Sequence, residues 1–330
     1  MDRFLNRRFF VTRAALLATA LSVASAPLHA AELPAGPVRI VVGFSAGGGT
    51  DILARLVANK LNAMWNIPVL VDNKPGAAGR IAAAEVARAT PDGNTLMMAH
   101  INSLGLAPAL HPKLNYSAER DFTPIVLIGQ TPQILIANPN QTVKSLAQFV
   151  EQLKKQPAKL FVASAGAGSA QHLALALFER DAAVAATHVP YKGSAPLVTD
   201  LLAGHVGFAF EGMTTASPYV KGGQLIALGQ TGAKRSKNFP DVPTIAEQGF
   251  PGFEASIWFG VVGPAGLPAE MTKRMNKDIN AVLAMPDIVK KLEEFGAENA
   301  GGTPEAYAAF MQAEREKWGK LIVERKISAE

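Results

Sequence analysis

The sequence contains no cysteine, which excludes disulfide bonds, thiolate nucleophiles and cysteine metal ligands. A stray thiol is a liability in an oxidising compartment, so this absence is compatible with an exported protein. Runs rich in Lys and Arg are also missing, and three of the five net positive charges lie in the first 30 residues. The remaining charge does not indicate a nucleic-acid-binding surface.

Sequence motifs for metals and nucleotides are missing too. The six histidines form no H-E-x-x-H motif and no close pair of potential ligands. No lysine follows the first glycine-rich loop, as a Walker A motif requires, and that loop does not have the G-x-G-x-x-G spacing of a dinucleotide site. We therefore predict that the protein holds no metal ion and no cofactor.

Residues 1–30 have the pattern of a cleaved export signal. Four arginines precede a short apolar stretch, residues 14–26, and small residues around Ala30 provide a cleavage site. The stretch is shorter than the roughly 20 residues that span a bilayer, and no later segment is long and uncharged enough to do so. Arg7 and Arg8 also fit a twin-arginine signal, so the Sec and twin-arginine routes both stay open. Both routes lead to export.

Short apolar runs alternate with amphipathic segments after the leader, which predicts an α/β fold with parallel strands covered by helices. The predicted strands are residues 39–42, 67–71, 95–99, 134–137, 160–163, 187–189, 206–210 and 257–262, with connectors at 122–129 and 225–228 and a loop at 100–103. One helix is predicted to begin near Thr50, and the others are residues 80–90, 145–155, 170–180, 194–202, 268–284, 286–295 and 304–323.

Two such β/α units in tandem predict two lobes. We place lobe 1 at residues 31–124 and 230–330 and lobe 2 at residues 125–229, joined by two crossover segments. Ligands of open α/β sheets bind beyond the carboxyl ends of the strands. If these ends face each other, one cleft between the lobes is lined by several glycine-rich loops.

The first glycine-rich loop links a predicted strand to a predicted helix within residues 38–51. Thr50 or Asp51 is predicted to be the N-cap of that helix, because a side-chain oxygen there can accept from a first-turn amide. Such a loop exposes backbone N–H groups, and the helix terminus adds partial positive charge. Its expected ligand is an anion, either a carboxylate or a phosphate.

A second amide-rich loop runs from Ser164 to Ser169, and Ser169 is predicted to cap the following helix. Alone it indicates a tight strand–helix turn; paired with the first loop it favours anion binding. Tyr191 and Lys192 either bring a phenol and an ammonium to the cleft or form a surface turn. Glu211 follows an apolar strand. It either repels ligands that do not fit the site, accepts a hydrogen bond from an ammonium group, or caps the next helix.

Residues 43–47 match the G-x-S-x-G nucleophile elbow, which raises a serine hydrolase using Ser45 as an alternative. An elbow requires the helix to start at the serine, whereas here three glycines intervene. Three histidines could supply a base, but nothing in the sequence positions one of them: His172, His188 and His205.

Eight short motifs occur in a fixed order after the leader: residues 44–51 (FSAGGGTD), 73–79 (NKPGAAG), 91–93, 163–169, 188–193, 233–236, 239–244 and 249–253. In this order they resemble the Bug (Bordetella uptake gene) proteins, the periplasmic substrate-binding receptors of tripartite tricarboxylate transporters. The resemblance covers essentially the whole chain after the leader.

The resemblance implies a periplasmic binding protein of the two-lobed, type II-like fold that closes on a small organic carboxylate. It further implies delivery to the membrane permease subunits of a tripartite tricarboxylate transporter and no catalysis. We also expect no cofactor, no nucleic-acid partner and a monomer. An extracytoplasmic sensor that reports to a signalling partner stays open as an alternative, beside the hydrolase. The resemblance does not choose among di- and tricarboxylates, aromatic acids, amino acids and nicotinate-like acids.

By position, the loop at residues 44–51 would hold a ligand carboxylate through backbone amides, the Thr50 hydroxyl and ordered water. The candidate ligand-binding residues are Phe44, Ser45, Ala46, Gly47, Gly48, Thr50, Asp51, Ser103, Ser164, Gly168, Ser169, Tyr191 and Glu211. Ser45 stands where the family usually has Ala or Pro. Glu211 stands where Asp or a neutral residue is expected, so the group it recognises is open.

Overall fold

Ten strands of the described chain are hydrogen-bonded in the order β2-β1-β3-β9-β4-β7-β5-β6, with β8 and β10 also pairing with β4. The computed structural model describes residues 33–328, so the predicted export signal at residues 1–30 lies outside it. The strands are β1 Val38–Val42, β2 Val69–Asn73, β3 Thr95–His100, β4 Phe122–Ala137, β5 Phe161–Ser164, β6 Thr187–Pro190, β7 Phe208–Gly212, β8 Ile226–Gln230, β9 Ser256–Pro264 and β10 Glu298–Gly301.

The helices of the same range cover both faces of this sheet. They are α1 Gly49–Trp65, α2 Arg80–Val86, α3 Ala107–Leu110, α4 Leu146–Lys155, α5 Ala170–Ala182, α6 Ser194–Ala203, α7 Met213–Lys221, α8 Ala269–Leu283, α9 Pro286–Glu294 and α10 Pro304–Glu324. Shorter 3₁₀ turns cover Ala77–Gly79 and Ala246–Gln248, and a π-helix covers Ile101–Leu106. Between residues 33 and 328, no helix is both long and apolar enough to cross a membrane.

The long strand β4 joins two halves of the sheet. Its N-terminal part pairs with β9 and β10, and its C-terminal part pairs with β7 and β8, all antiparallel. The other strands of each half run parallel, β1 with β2 and β3, and β5 with β6 and β7. The predicted parallel units are therefore present, but the sheet as a whole is mixed because the strands that cross between the halves are antiparallel.

We call β1, β2, β3, β9, β10 and the N-terminal part of β4 the first half, and β5 to β8 with the rest of β4 the second half. This arrangement agrees with the predicted two lobes. The lobe boundaries at residues 31–124, 125–229 and 230–330 remain a proposal. They fall within β4 and at the end of β8.

The apolar pattern of each strand follows from which of its two faces are buried. Residues 40–42 of β1 are fully buried, as expected of a parallel strand with helices on both faces. In the second half, alternate residues of β4 point to opposite faces. Ile134 belongs to a core cluster with Leu197 of α6, whereas Leu135 belongs to the cluster that contains Phe149 of α4.

Several local predictions were wrong. The segment predicted as a loop at residues 100–103 enters the π-helix, whose six residues are all buried, so its backbone groups must be satisfied by helical hydrogen bonds. The helix predicted for residues 80–90 ends at Val86, where the chain tightens into turns in which the amides of Arg88 and Ala89 donate to carbonyls three residues earlier. The predicted connector at 122–129 and the strand at 134–137 are one continuous strand. The helix α7, expected after Glu211, had been given no bounds, and the helix α3 and the strand β10 were not predicted.

Candidate functional site

Four helices begin around one narrow cavity between the two halves. The cavity is lined by residues at the start of α1, α5, α6 and α7, and by strand residues behind them. The first amides of a helix have no acceptor within it, and they carry the positive end of its dipole. The helix-start residues are Gly48, Gly49 and Thr50 of α1, Gln171 of α5, Gly193, Ser194 and Ala195 of α6, and Gly212, Thr214 and Thr215 of α7.

The narrow cavity is small and has a wider neighbour. Its volume is about 40 Å³, on the order of one to three water molecules. A second cavity of about 620 Å³ shares Phe44, Ser45, Ala165 and Gly193 with it. Of these two cavities, Arg80 and Lys192 line the wider one and not the narrow one, so these cationic side chains lie outside the narrow cavity.

Asp51 organises the first glycine-rich loop rather than capping α1. The N-cap is Gly48, which has extended backbone angles, so the predicted cap at Thr50 or Asp51 is wrong. The buried Asp51 carboxylate accepts hydrogen bonds from Gly47 N (2.9 Å), Arg55 Nε (3.0 Å) and Asn73 Nδ2 (3.0 Å). Burial opposes ionisation, but these three bonds outweigh it and the pKa of Asp51 is lowered.

Asn73 connects this loop to the second sequence motif. Besides its bond to Asp51, its Nδ2 donates to the carbonyl oxygen of Phe44 at 3.0 Å. The loop conformation is therefore fixed from β2 as well as from α1. This network fixes the loop from which Gly48, Gly49 and Thr50 line the narrow cavity.

The two halves contact each other directly beside the cavity. Asn102 Oδ1, after β3, accepts from Ala170 N at 2.8 Å, and the hydroxyls of Thr131 and Thr214 are 3.1 Å apart. A Cβ atom added at Gly49 would lie 3.2 Å from the Cβ of Thr214. A side chain at residue 49 would therefore require Thr214 to shift by a few tenths of an ångström.

The loop of the second half is fastened by two stacked histidines. The rings of His172 and His188 are parallel, with centroids 3.8 Å apart. His188 Nε2 is 2.6 Å from Ser164 Oγ, and His172 Nδ1 accepts from Gly168 N at 3.0 Å. Burial lowers the pKa of both histidines to about 4, so they are neutral at pH 7.

The predicted serines of these loops have partners within the protein. Ser169 is the N-cap of α5, as predicted, and its Oγ accepts from His172 N. Ser103 Oγ donates to the carbonyl of His100 at 3.2 Å, and its own carbonyl accepts from Tyr116 at 2.6 Å.

Aromatic side chains form one wall of the narrow cavity. His100 packs between Phe44 and Phe259, with ring centroids 4.6 and 5.2 Å away. Its Nδ1 accepts from Asn102 N at 3.1 Å. Burial lowers the pKa of His100 to about 3, so it contributes a neutral surface and no positive charge.

Glu211 is the charged group inside the cavity, and it is 1% exposed. Its Oε1 accepts from Ser194 Oγ (2.8 Å), Gly212 N (2.7 Å) and Gln171 Nε2 (3.3 Å). Among the described residues, its Oε2 and the Oε1 of Gln171 are buried without a hydrogen-bond partner. Burial raises the pKa of Glu211 to about 7, although its three hydrogen bonds act in the opposite direction.

Tyr191 lies along the wider cavity. Its hydroxyl donates to Asp200 Oδ2 at 2.9 Å. Burial and the neighbouring carboxylate raise the pKa of Tyr191 to about 12, so the phenol stays protonated. Within residues 33–328, no three His, Asp or Glu side chains are grouped so that they could hold a metal ion.

The structure brings together part of the predicted site. The predicted residues that line the narrow cavity are Phe44, Ser45, Gly48, Thr50 and Glu211, and Tyr191 lines the wider one. Those that line neither of these two cavities are Ala46, Gly47, Asp51, Ser103, Ser164, Gly168 and Ser169. Lining residues that the sequence did not single out include Gly49, His100, Asn102, Gln171, Ser194, Thr214 and Thr215. Five of these, Gly49, Gln171, Ser194, Thr214 and Thr215, lie in the first turn of a helix, and no local sequence signal distinguished them.

The model of the tripartite tricarboxylate transporter family receptors, TctC, matches residues 53–327, and the chain belongs to this family. Protein BugT of Bordetella pertussis is 34% identical over 91% of this chain and 92% of its own length. The periplasmic binding protein BugD has a similar structure, with a TM-score of 0.85, 33% identity and coverage of 89% of this chain and 99% of its own.

Two further solved structures contain ligands. A protein of R. palustris solved with adipate has a TM-score of 0.87 and 34% identity, covering 90% of this chain and 99% of its own. MatC from Rhodopseudomonas palustris, with bound malate, has a TM-score of 0.83 and 33% identity, covering 88% of this chain and all of its own. The predicted family and two-lobed fold are confirmed. The protein is a solute-binding protein of the periplasmic TctC and Bug type.

Proposed function

We propose that this protein is an extracytoplasmic receptor that binds a small organic carboxylate and delivers it to a tripartite tricarboxylate-type membrane transporter. The observation that carries the proposal is the convergence of four helix N-termini on one cavity between the halves. The pattern of residues 1–30 supports export, and we further propose that the mature protein is a periplasmic monomer.

The chemistry of the cavity suits a carboxylate. A carboxylate that leaves water needs charge-assisted hydrogen bonds in place of its hydration, and first-turn amides supply them. We assign this role to the backbone of Gly48, Gly49 and Thr50, with the hydroxyls of Thr50 and Thr214 beside them. The relatives solved with malate and adipate support this ligand class.

Ligand entry requires the halves to move apart. The narrow cavity is closed by the contacts of Asn102 with Ala170 and of Gly49 with Thr214, and its 40 Å³ leaves little free space. We assign the hinge to β4 and the segment between β8 and β9, because these cross between the halves. The closed form would then be the one that the permease recognises.

The same geometry speaks against catalysis by Ser45. The helix α1 begins at Gly49, four residues after the serine, whereas a nucleophile elbow places the serine at the start of the helix. Ser45 lines both cavities, so we assign it a place beside the ligand and not the role of a nucleophile.

The test is a thermal-shift and calorimetric screen of the mature protein, denatured and refolded beforehand to remove any co-purified ligand. The panel contains malate, adipate, aromatic acids and amino acids, with the dimethyl esters of malate and adipate and inorganic phosphate as controls. A ligand that binds only the folded state raises Tm with its concentration. We expect a selective rise with free acids and none with esters. Silence toward every acid combined with turnover of an ester would overturn the proposal.

A further inference from the structure

At one end of the narrow cavity, two buried hydrogen-bond acceptors receive no hydrogen bond from the described protein. Glu211 Oε2 and Gln171 Oε1 are both buried and have no partner within the described protein, and both side chains line the cavity. Buried polar atoms are almost always paired in native structures, so two neighbouring exceptions in one cavity call for a partner from outside.

The two side chains form one unit. The Nε2 of Gln171 donates to Glu211 Oε1, which fixes the amide orientation, because the amide oxygen would be repelled by the carboxylate. The remaining oxygens, Glu211 Oε2 and Gln171 Oε1, are therefore both available to accept hydrogen bonds from one ligand group. A guest with only one hydrogen to donate would satisfy one of them and leave the other unpaired.

The charge of Glu211 is also uncompensated. Among the residues that line the narrow cavity, none is Lys or Arg, and His100 is neutral. The bonds from Ser194 and Gly212 stabilise the carboxylate but bring no full positive charge. A buried carboxylate without a counter-ion is unfavourable, so a cationic guest group gains a strong interaction here.

We propose that Glu211 and Gln171 bind a protonated amine of the ligand, so that the preferred substrates are amino-carboxylates, which carry an ammonium as well as a carboxylate. An ammonium has three N–H donors, enough for both free acceptors. The carboxylate of the same molecule occupies the helix N-termini at Gly48, Gly49 and Thr50. Glu211 thus converts one end of an otherwise anion-attracting cavity into a cation site. This inference rests on the proposed function.

The test compares ligand pairs that differ only in the amine: glutamate with glutarate, 4-aminobutanoate with butanoate, and alanine with propanoate. Calorimetry on the refolded mature protein should show at least one aminated acid that binds about tenfold or more tightly than its partner, the difference that one charge-assisted hydrogen bond supplies. Glu211→Gln should abolish the preference, and it should tighten the binding of the deaminated acid because it removes a negative charge from the cavity. Glu151→Gln, an exposed glutamate on α4, is the matched control and should change neither.

The number of protons released or taken up on ligand binding gives a second measurement that needs no variant. The pKa of Glu211 is about 7, so an ammonium that fixes it as a carboxylate should release about half a proton at pH 7. A dicarboxylate bound next to a neutral Glu211 would instead take protons up. Titrations in buffers of different ionisation enthalpy separate the two cases.

The outcomes also separate this inference from the proposed function. If glutarate, butanoate and propanoate bind as tightly as their aminated counterparts or more tightly, the ammonium site is overturned and the carboxylate receptor stays intact; proton uptake on binding of glutarate would agree with that result. If no acid of any pair binds, the receptor fails and the ammonium site fails with it.

Discussion

Asp51→Ala should both destabilise the protein and weaken ligand binding, because Asp51 fixes the loop that presents the helix amides. The substitution removes the acceptor of Gly47 N, Asn73 Nδ2 and Arg55. A hydrogen bond to a charged group contributes about 1.5–3 kcal/mol, and because Gly47 is exposed and Asn73 only partly buried we take about 1–2 kcal/mol for each of their bonds. Arg55 has 49% of its side chain exposed and regains water, so we count only the other two donors. The expected loss of unfolding free energy is about 2–4 kcal/mol.

The loss can be read as a thermal shift. For a domain of about 300 residues, the entropy of unfolding corresponds to roughly 1.6 °C for each kcal/mol, so Tm should fall by about 3–6 °C. Differential scanning fluorimetry of the ligand-free protein measures this fall. Calorimetry with a carboxylate found in the screen should show an affinity loss on the order of tenfold, because the amides of Gly48 and Gly49 are no longer held in place.

The control is Glu151→Ala, since Glu151 also forms an i,i+4 ion pair, with Lys155, but both side chains are largely exposed. It should leave Tm and affinity nearly unchanged. Asp51→Asn keeps part of the hydrogen bonding and should fall between the wild type and Asp51→Ala. Wild-type Tm and affinity in a folded Asp51→Ala protein would refute the role of this carboxylate.

Three further predictions concern Gly49, Ser45 and the buried histidines. Gly49→Ala places a methyl group against Thr214 and should weaken ligand binding about tenfold or more, whereas Gly319→Ala, within α10 and with ordinary contact distances, should not; equal affinities in calorimetry would contradict the closed contact. Ser45→Ala should retain ligand binding; loss of a measurable esterase activity would instead revive the hydrolase. The free energy of unfolding should fall as pH drops from 6.5 to about 4, because the unfolded chain takes up protons that three buried histidines cannot: His100, His172 and His188. Glu211 offsets part of this effect, because its raised pKa lets the folded protein bind one proton that the unfolded chain does not hold in this pH range. His172→Gln should reduce the loss of unfolding free energy at low pH, and an unchanged pH dependence in urea titrations would contradict the assignment.

The strands were predictable because each is a local pattern. Apolar runs bounded by glycine or proline located β1, β3 and β9 within a few residues of their observed limits. The continuity of β4 was not predictable, since residues 129–133 read Gly-Gln-Thr-Pro-Gln, which indicates a break. The strand continues because Gln130 and Thr131 pair with β9 while Gln133 already pairs with β7.

The cavity was only partly predictable because its walls come from distant segments. The glycine-rich loop and Glu211 carry strong local signals. Gln171, Ser194 and Thr214 carry none, since an ordinary residue in the first turn of a helix becomes part of a site only when the topology points that turn at another helix.

The serines show a competition that the sequence does not resolve. A serine before a helix is equally suited to cap that helix and to bind a ligand, but one hydroxyl rarely does both. Ser169 caps α5, and Ser164 is engaged with His188. Ligand contact by either serine therefore stays a prediction, whereas their structural partners are given by the geometry.

Helix N-termini alone do not make the cavity selective, because their amides attract any small anion that fits. Selectivity requires a group that is unfavourable until the right ligand arrives. Glu211 meets that requirement: it is buried, its pKa is raised by burial, and one of its oxygens has no partner. A neutral residue of similar size would relieve this penalty and would still suit the helix amides. The retained carboxylate therefore acts against ligands that bring only negative charge, and it favours ligands that bring a donor with positive charge to the same end of the cavity.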